Sequence, residues 1–205
     1  MNLQNLEDLI RASWDNSIRL LNESVANYRM GNFATSGFLA IASIEELGKF
    51  QALDKIWFYG PHLGLMGPHD QLDTDDLEFI NQTILNDHIF KQHSSFRDEF
   101  FQDWARRFYE SATQKEVEED RQKFIYADVI KGRRDYRVSF PGQIHKSEAA
   151  KYINLISKHL LEQAKYVREG IVNYDQEFVN EMLLSKKFVT FLESINLWIK
   201  YKFWV

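Results

Sequence analysis

Along most of the chain apolar residues recur every three or four positions, the period of helices that bury one face. Leu6, Ile10, Ser17, Leu20, Leu21, Ser24, Val25 and Tyr28 form one such stripe, which includes small residues, and predict a first helix from about Leu3 to Tyr28. Gly31 and Asn32 supply a tight turn, so a second helix over about residues 33–59 returns antiparallel and makes a long helical hairpin at the N-terminus. Residues 60–72 carry two of the three prolines and three of the nine glycines and read as a loop. Asp73, Thr74, Asp75 and Asp76 offer N-cap chemistry to a third helix reaching about His93, and Ser95-Phe96-Arg97-Asp98 resembles a capping box that restarts a helix near Arg97.

Beyond it, Phe100, Phe101, Trp104, Phe108 and Tyr109 make a strongly apolar segment, and residues 115–120 read as charged and solvated. Order returns over 121–128, a polar loop follows at Lys131–Asp135, and Pro141-Gly142 closes it. A helix over about 147–170 and a last one over about 175–200 complete an all-α chain of six to seven helices. One domain spanning 1–205 is expected, with loops near 60–72 and 131–145. There is no internal repeat and no low-complexity tract. The last residues, from Ile195 to Val205, are aromatic to the end, which points to docking on the body or to pairing between two copies.

Composition sharpens this picture. Hydrophobic residues at 44% and aromatics at 15% supply a sizeable core, and the scarcity of Gly and Pro favours helices. A net charge of −5 and a pI near 5.7 exclude a general nucleic-acid coat but allow a local basic pocket. The absence of cysteine removes disulfides, thiolate zinc sites and cysteine catalysis together, and fits a reducing compartment. No basic and apolar leader is visible and no apolar run approaches the roughly 20 residues of a membrane span. The expectation is a cytoplasmic protein without a membrane partner.

Three clusters could carry chemistry. Glu45, Glu46 and Lys49 interrupt the apolar run of the second helix, together with Gly48, which costs about 1 kcal/mol against alanine in a helix. Charged groups beside a packing face need partners; the plainer reading is an ion pair on a wet surface. His88 and Lys91 share a helical face, with Arg97 beyond them, a set that could bind a phosphate or move a proton beside one; a lone polar histidine is the alternative. Lys123, Tyr126 and Asp128 could line a polar pocket, or be surface charge around Phe124 and Ile125. No Glu-x-x-His or His-x-x-x-His occurs, so no metal is expected, and no cofactor. Phosphate-binding glycine loops and the serine-hydrolase elbow are absent too.

Taken together, Ala40–Lys49 with its Glu-Glu-Leu-Gly-Lys element, Asp87-His88-x-x-Lys91, and Lys123–Asp128 with Pro141 downstream resemble the AbiV abortive-infection proteins. That family is similar to the HEPN superfamily of helical bundles, and the resemblance runs from about Leu6 to Leu161. It implies a HEPN-like bundle and a bacterial, cytoplasmic anti-phage effector that shuts down protein synthesis in the infected cell. A phage-encoded activator protein as trigger and a homodimer as resting state are implied as well, with RNA or the ribosome as target.

The chain departs from the resemblance in one respect. Many HEPN ribonucleases use Arg, four to six residues, then His; here Arg137 precedes His145 by eight, and His93 and Arg97 stand in the reverse order. Cleavage would therefore need another set. His88 would be the general acid or base, Lys91 and Lys49 would stabilise phosphate charge, and Glu45 or Glu46 would orient a lysine. The RNA's own 2′-hydroxyl would be the nucleophile. The alternative is a non-enzymatic helical module that blocks ribosomes or translation factors, or titrates a phage protein.

Overall fold

A computed structural model of the chain describes residues 3–59, 77–78, 80–94, 110–112, 115–125, 128–131, 136–139, 141–168, 189–190, 192 and 194. Two long helices, α1 (Leu3–Arg29) and α2 (Phe33–Tyr59), form the expected hairpin. The turn between them stops α1 by a defined route. Gly31 sits at φ +84°, a left-handed conformation in which glycine alone is unstrained. There its N–H donates to the Tyr28 carbonyl at 3.1 Å, and the Asn32 N–H donates to Asn27 at 2.9 Å. These two bonds are the Schellman pattern that satisfies the last carbonyls of a helix. Tyr28 and Phe33 meet edge to face across the turn, with ring centroids 5.2 Å apart.

Two compact units make up the chain, residues 1–20 with 41–122, and residues 21–40 with 123–205. In the first unit α1 buries Leu6, Ile10 and Trp14, and α2 buries Ile41, Ile44, Leu47, Phe50 and Leu53. Trp14 and Phe50 pack at 5.1 Å between centroids. The small residues of the stripe allow the two backbones to approach closely. Ser17 Oγ donates to the Ser43 carbonyl at 2.9 Å and Ser43 Oγ returns a bond to the Ser17 carbonyl at 2.7 Å. Both hydroxyls are buried and satisfied, as buried polar groups must be.

The third predicted helix is broken, which corrects the reading of one continuous element. Residues Ile80–Leu85 are π-helical, and Asn86 and Asp87 interrupt the chain before α3 (His88–Ser94). Asn86 Nδ2 donates to the Asn81 carbonyl at 2.7 Å, and Asp87 Oδ1 caps the new helix by accepting the Phe90 N–H at 3.0 Å. Side chains that bond their own backbone compete with the helix ladder in this way. The stretch read as solvated is ordered from Glu116 as α4 (Glu116–Ile125). Glu116, Glu118 and Glu119 stand in its first turn, where the helix dipole favours negative charge.

In the second unit the end of α1 and the start of α2 are joined by Ser24 Oγ, which donates to the Ser36 carbonyl at 2.7 Å. Gly37 lies under Phe124: a Cβ there would fall 2.5 Å from the ring's Cζ. Phe124 in turn stands edge-on to Tyr152 at 5.9 Å. On either side of 132–135, which lie outside the described residues, the chain forms a hairpin of β1 (Asp128–Lys131) and β2 (Tyr136–Ser139), antiparallel, with Asp128 opposite Ser139 and Lys131 opposite Tyr136, so the expected loop near 131–145 gives way to strand at Lys131 and at Tyr136–Ser139. Val129, Ile130, Tyr136 and Val138 carry the β-branched and aromatic character that strands favour. A short 3-10 turn at Pro141–Gln143 leads into α5 (Lys146–Arg168). Glu148 reaches back to accept the His145 N–H at 2.8 Å, one half of a capping box. Tyr152, Ile153, Ile156 and Leu160 form the buried face of α5.

The fold class is thus all-α, with a small two-stranded hairpin among the described residues. Among the described residues no helix is long and apolar enough to cross a membrane. The expected loop at 60–72, the restart near Arg97 and the aromatic C-terminus lie outside the described residues, as does the last helix apart from its helical residues at 189–190, 192 and 194.

Candidate functional site

Glu45 and Glu46 are neighbours in sequence but about 100° apart around α2, and they serve different surroundings. Glu45 is buried, with 6% of its surface exposed. Its Oε2 lies 2.7 Å from His88 Nδ1, and its Oε1 accepts from Gln92 Nε2 at 2.9 Å. Arg121 Nε stands 3.7 Å from the same Oε1. His88 and Gln92 are one turn apart on α3 and so share a face; the cap at Asp87 fixes where that helix begins and hence where its first residue, His88, is set.

Arg121 is itself clamped. Its Nε and Nη2 donate to the two oxygens of Glu118 at 2.7 and 2.8 Å, a fork-to-fork pair on α4. Gln122 Nε2 also donates to Glu118, at 2.6 Å. Burial pushes the Glu118 carboxyl up, but the hydrogen bonds from Arg121 and Gln122 and the nearby charges of Arg121 and His88 outweigh it and hold the group below the usual glutamate range. The cluster therefore contains two carboxylates, one guanidinium and one imidazole, drawn from three helices. The His88 side chain is 45% exposed, against 7% for Glu45, so the cluster is anchored inside and opens at the imidazole.

Lys91 lies on the same helix as His88, buried, and spends its ammonium on the Leu85 carbonyl at 3.0 Å. Burial lowers its pKa; the Glu45 and Glu46 charges oppose that shift and those of Lys49 and Arg121 add to it. Lys49 is held by Glu46, with both oxygens within 2.7–2.8 Å of Nζ. This intrahelical pair faces an open groove of about 450 Å³, walled on α1 by Leu9, Ala12, Ser13, Asp15, Asn16 and Arg19.

The sequence model of the HEPN AbiV family matches residues 5–162, most of the chain, and takes in every residue of this cluster. The chain belongs to the AbiV family. It is accordingly a member of an abortive-infection, anti-phage defence family of HEPN fold. No curated protein and no solved structure matches the chain.

Of the residues singled out in this AbiV chain, the structure brings Glu45 and His88 into direct contact. It directs Lys49 to Glu46, and Lys91 to a backbone carbonyl. Lys123, half-buried on α4, and Asp128, at the start of β1, belong to the second unit. Arg97 and Tyr126 lie outside the described residues. Among the described residues no three His, Asp or Glu groups are placed to hold a metal ion.

Three members of the cluster, Gln92, Glu118 and Arg121, were not singled out from sequence. Gln92 carried a usable signal, since it falls one turn after His88. Arg121 carried only a local one, its spacing to Glu118; its approach to Glu45 is a contact between elements distant in the chain.

Proposed function

We propose that this AbiV-family chain arrests translation in the infected bacterium by cutting RNA, with His88 as the general base. One observation supports the reading: a half-exposed imidazole hydrogen-bonded through Nδ1 to a buried carboxylate. A base positioned by a third group is the recurring arrangement for proton transfer. His88 Nε2 would take the proton of an RNA 2′-hydroxyl, and the freed 2′-oxygen would attack the adjacent phosphorus. The bond from phosphorus to the 5′-oxygen would break and that oxygen would take a proton from water, the resulting hydroxide being neutralised by the proton on His88 Nε2, which leaves a 2′,3′-cyclic phosphate and restores the base. A phage-encoded protein as trigger, a resting homodimer and a cytoplasmic site of action belong to the same proposal.

A second reading has its own support. The lysines expected to carry phosphate charge are committed within the protein, Lys49 to Glu46 and Lys91 to the Leu85 carbonyl, and the Arg-x4-6-His spacing is absent. On that basis the chain would block ribosomes, or bind a factor or a phage protein, without chemistry.

Amino-acid incorporation in phage-infected bacteria carrying the protein, with RNA sequenced from the same samples, separates the two. Arrest with new, discrete RNA ends is expected. Arrest with intact RNA would overturn the cleavage reading in favour of binding, and continued synthesis in cells that resist no phage would overturn both.

A further inference from the structure

We propose that Glu45, steadied by Gln92 and Arg121, is a positioning residue that holds His88 as its Nδ1–H tautomer and presents Nε2 as the proton-accepting atom. The inference rests on the reading of His88 as the working residue and adds which of its two nitrogens works and what sets it.

Gln92 Nε2 donates to Oε1 and the Arg121 guanidinium approaches the same oxygen, so the Glu45 carboxylate is met there as a hydrogen-bond acceptor. An ionised carboxylate only accepts hydrogen bonds. At 2.7 Å from Oε2, Nδ1 must then carry a proton, and in the neutral ring the lone pair is left on Nε2. Free imidazole in a peptide favours the opposite tautomer, so the protein selects the minor form. Nε2 has no hydrogen-bond partner among the described residues, and the side chain is the exposed member of the cluster. The acceptor therefore faces outward while the proton faces the core.

Gln92 and Arg121 act through Glu45 rather than on a ligand. They come from different helices, α3 and α4, and Arg121 is fixed by its two bonds to Glu118. Such outer partners keep a carboxylate and imidazole aligned much as they do around other working histidines. The ligand class that suits an outward Nε2 acceptor beside a buried carboxylate is a hydroxyl donor, here the 2′-hydroxyl of RNA.

The test is nitrogen-15 NMR of the full chain labelled at histidine, with His88→Ala identifying the resonances, at a pH where the ring is neutral. Wild type is expected to show His88 with Nδ1 protonated and Nε2 bare. Glu45→Gln, which keeps shape and removes charge, should shift the ring toward the Nε2–H form. Gln92→Ala should shift it the same way to a smaller extent. A wild-type His88 in the Nε2–H form would overturn the proposal, as would an unchanged tautomer in a natively folded Glu45→Gln. Should Glu45→Gln not fold, the wild-type spectrum and Gln92→Ala decide. Failure here is distinct from failure of the RNA reading: intact RNA in arrested cells overturns that reading and leaves the tautomer assignment standing.

Discussion

Glu45 and Glu46 are chemically identical and adjacent, yet they live in different regimes. Glu46 pairs with Lys49 on its own helix beside an open groove, a contact that local spacing alone predicts. Glu45 is taken out of water and answered by groups from two other helices. The lesson is that a charge-rich motif on a packing helix can be split by the helix period into a half-buried pair on the helix itself and a buried anchor. Only the anchor organises tertiary structure. Solvent in the groove screens the first in part and side-chain entropy erodes it, whereas the second is costly to leave half made.

The largest effect expected from that contrast is on stability. Glu45→Ala strips this acceptor from His88 and Gln92 and removes one of the two carboxylates beside Arg121. Breaking a buried pair costs about 3–5 kcal/mol when a charge is left uncompensated. Because Arg121 keeps Glu118, about 3 kcal/mol is expected in denaturant unfolding. Glu46→Ala in the same assay should cost about 0.2–1 kcal/mol, and less in high salt. Equal losses for the two would erase the distinction.

The second unit sharpens the comparison by offering a site where shape alone decides. Gly37→Ala drives a methyl into the Phe124 ring, which is itself backed by Tyr152. Overpacking of this kind costs about 1–3 kcal/mol, which urea unfolding would read. A neutral or stabilised Gly37→Ala would mean that the ring gives way freely.

The smallest effect concerns Glu118. Its folded pKa lies below the ordinary value, so its contribution is complete above that value, about 4.3, and is lost as pH falls through the folded one. The stability advantage of wild type over Glu118→Gln, present at pH 7, should therefore fade in acid. An advantage that grows below pH 4 would reverse the sign.

How far the sequence foretold this molecule varies by element. The α2 boundaries are legible because Gly31-Asn32 stops one helix and the apolar period restarts the next. The break at Asn86-Asp87 is hidden because neither Gly nor Pro marks it; the interruption comes from side chains bonding nearby backbone. The β1–β2 hairpin is hidden because two four-residue strands give too short an alternation to compete with charged neighbours. At the site, residue types and helical spacing point to Glu45, Glu46, Lys49, His88 and Lys91. They do not tell which glutamate turns inward, because one step along a helix changes the face. Nor do they place Arg121, whose contact with Glu45 forms only when the first turns of α4 pack within the first unit.

The most direct test of the central claim is His88→Ala in the infected-cell assay, with thermal melting of the purified variant beside it. The account predicts that protein synthesis continues, that the discrete RNA ends disappear, and that the variant still melts cooperatively with native helicity. Undiminished arrest by a folded His88→Ala would contradict it and remove the imidazole from the function.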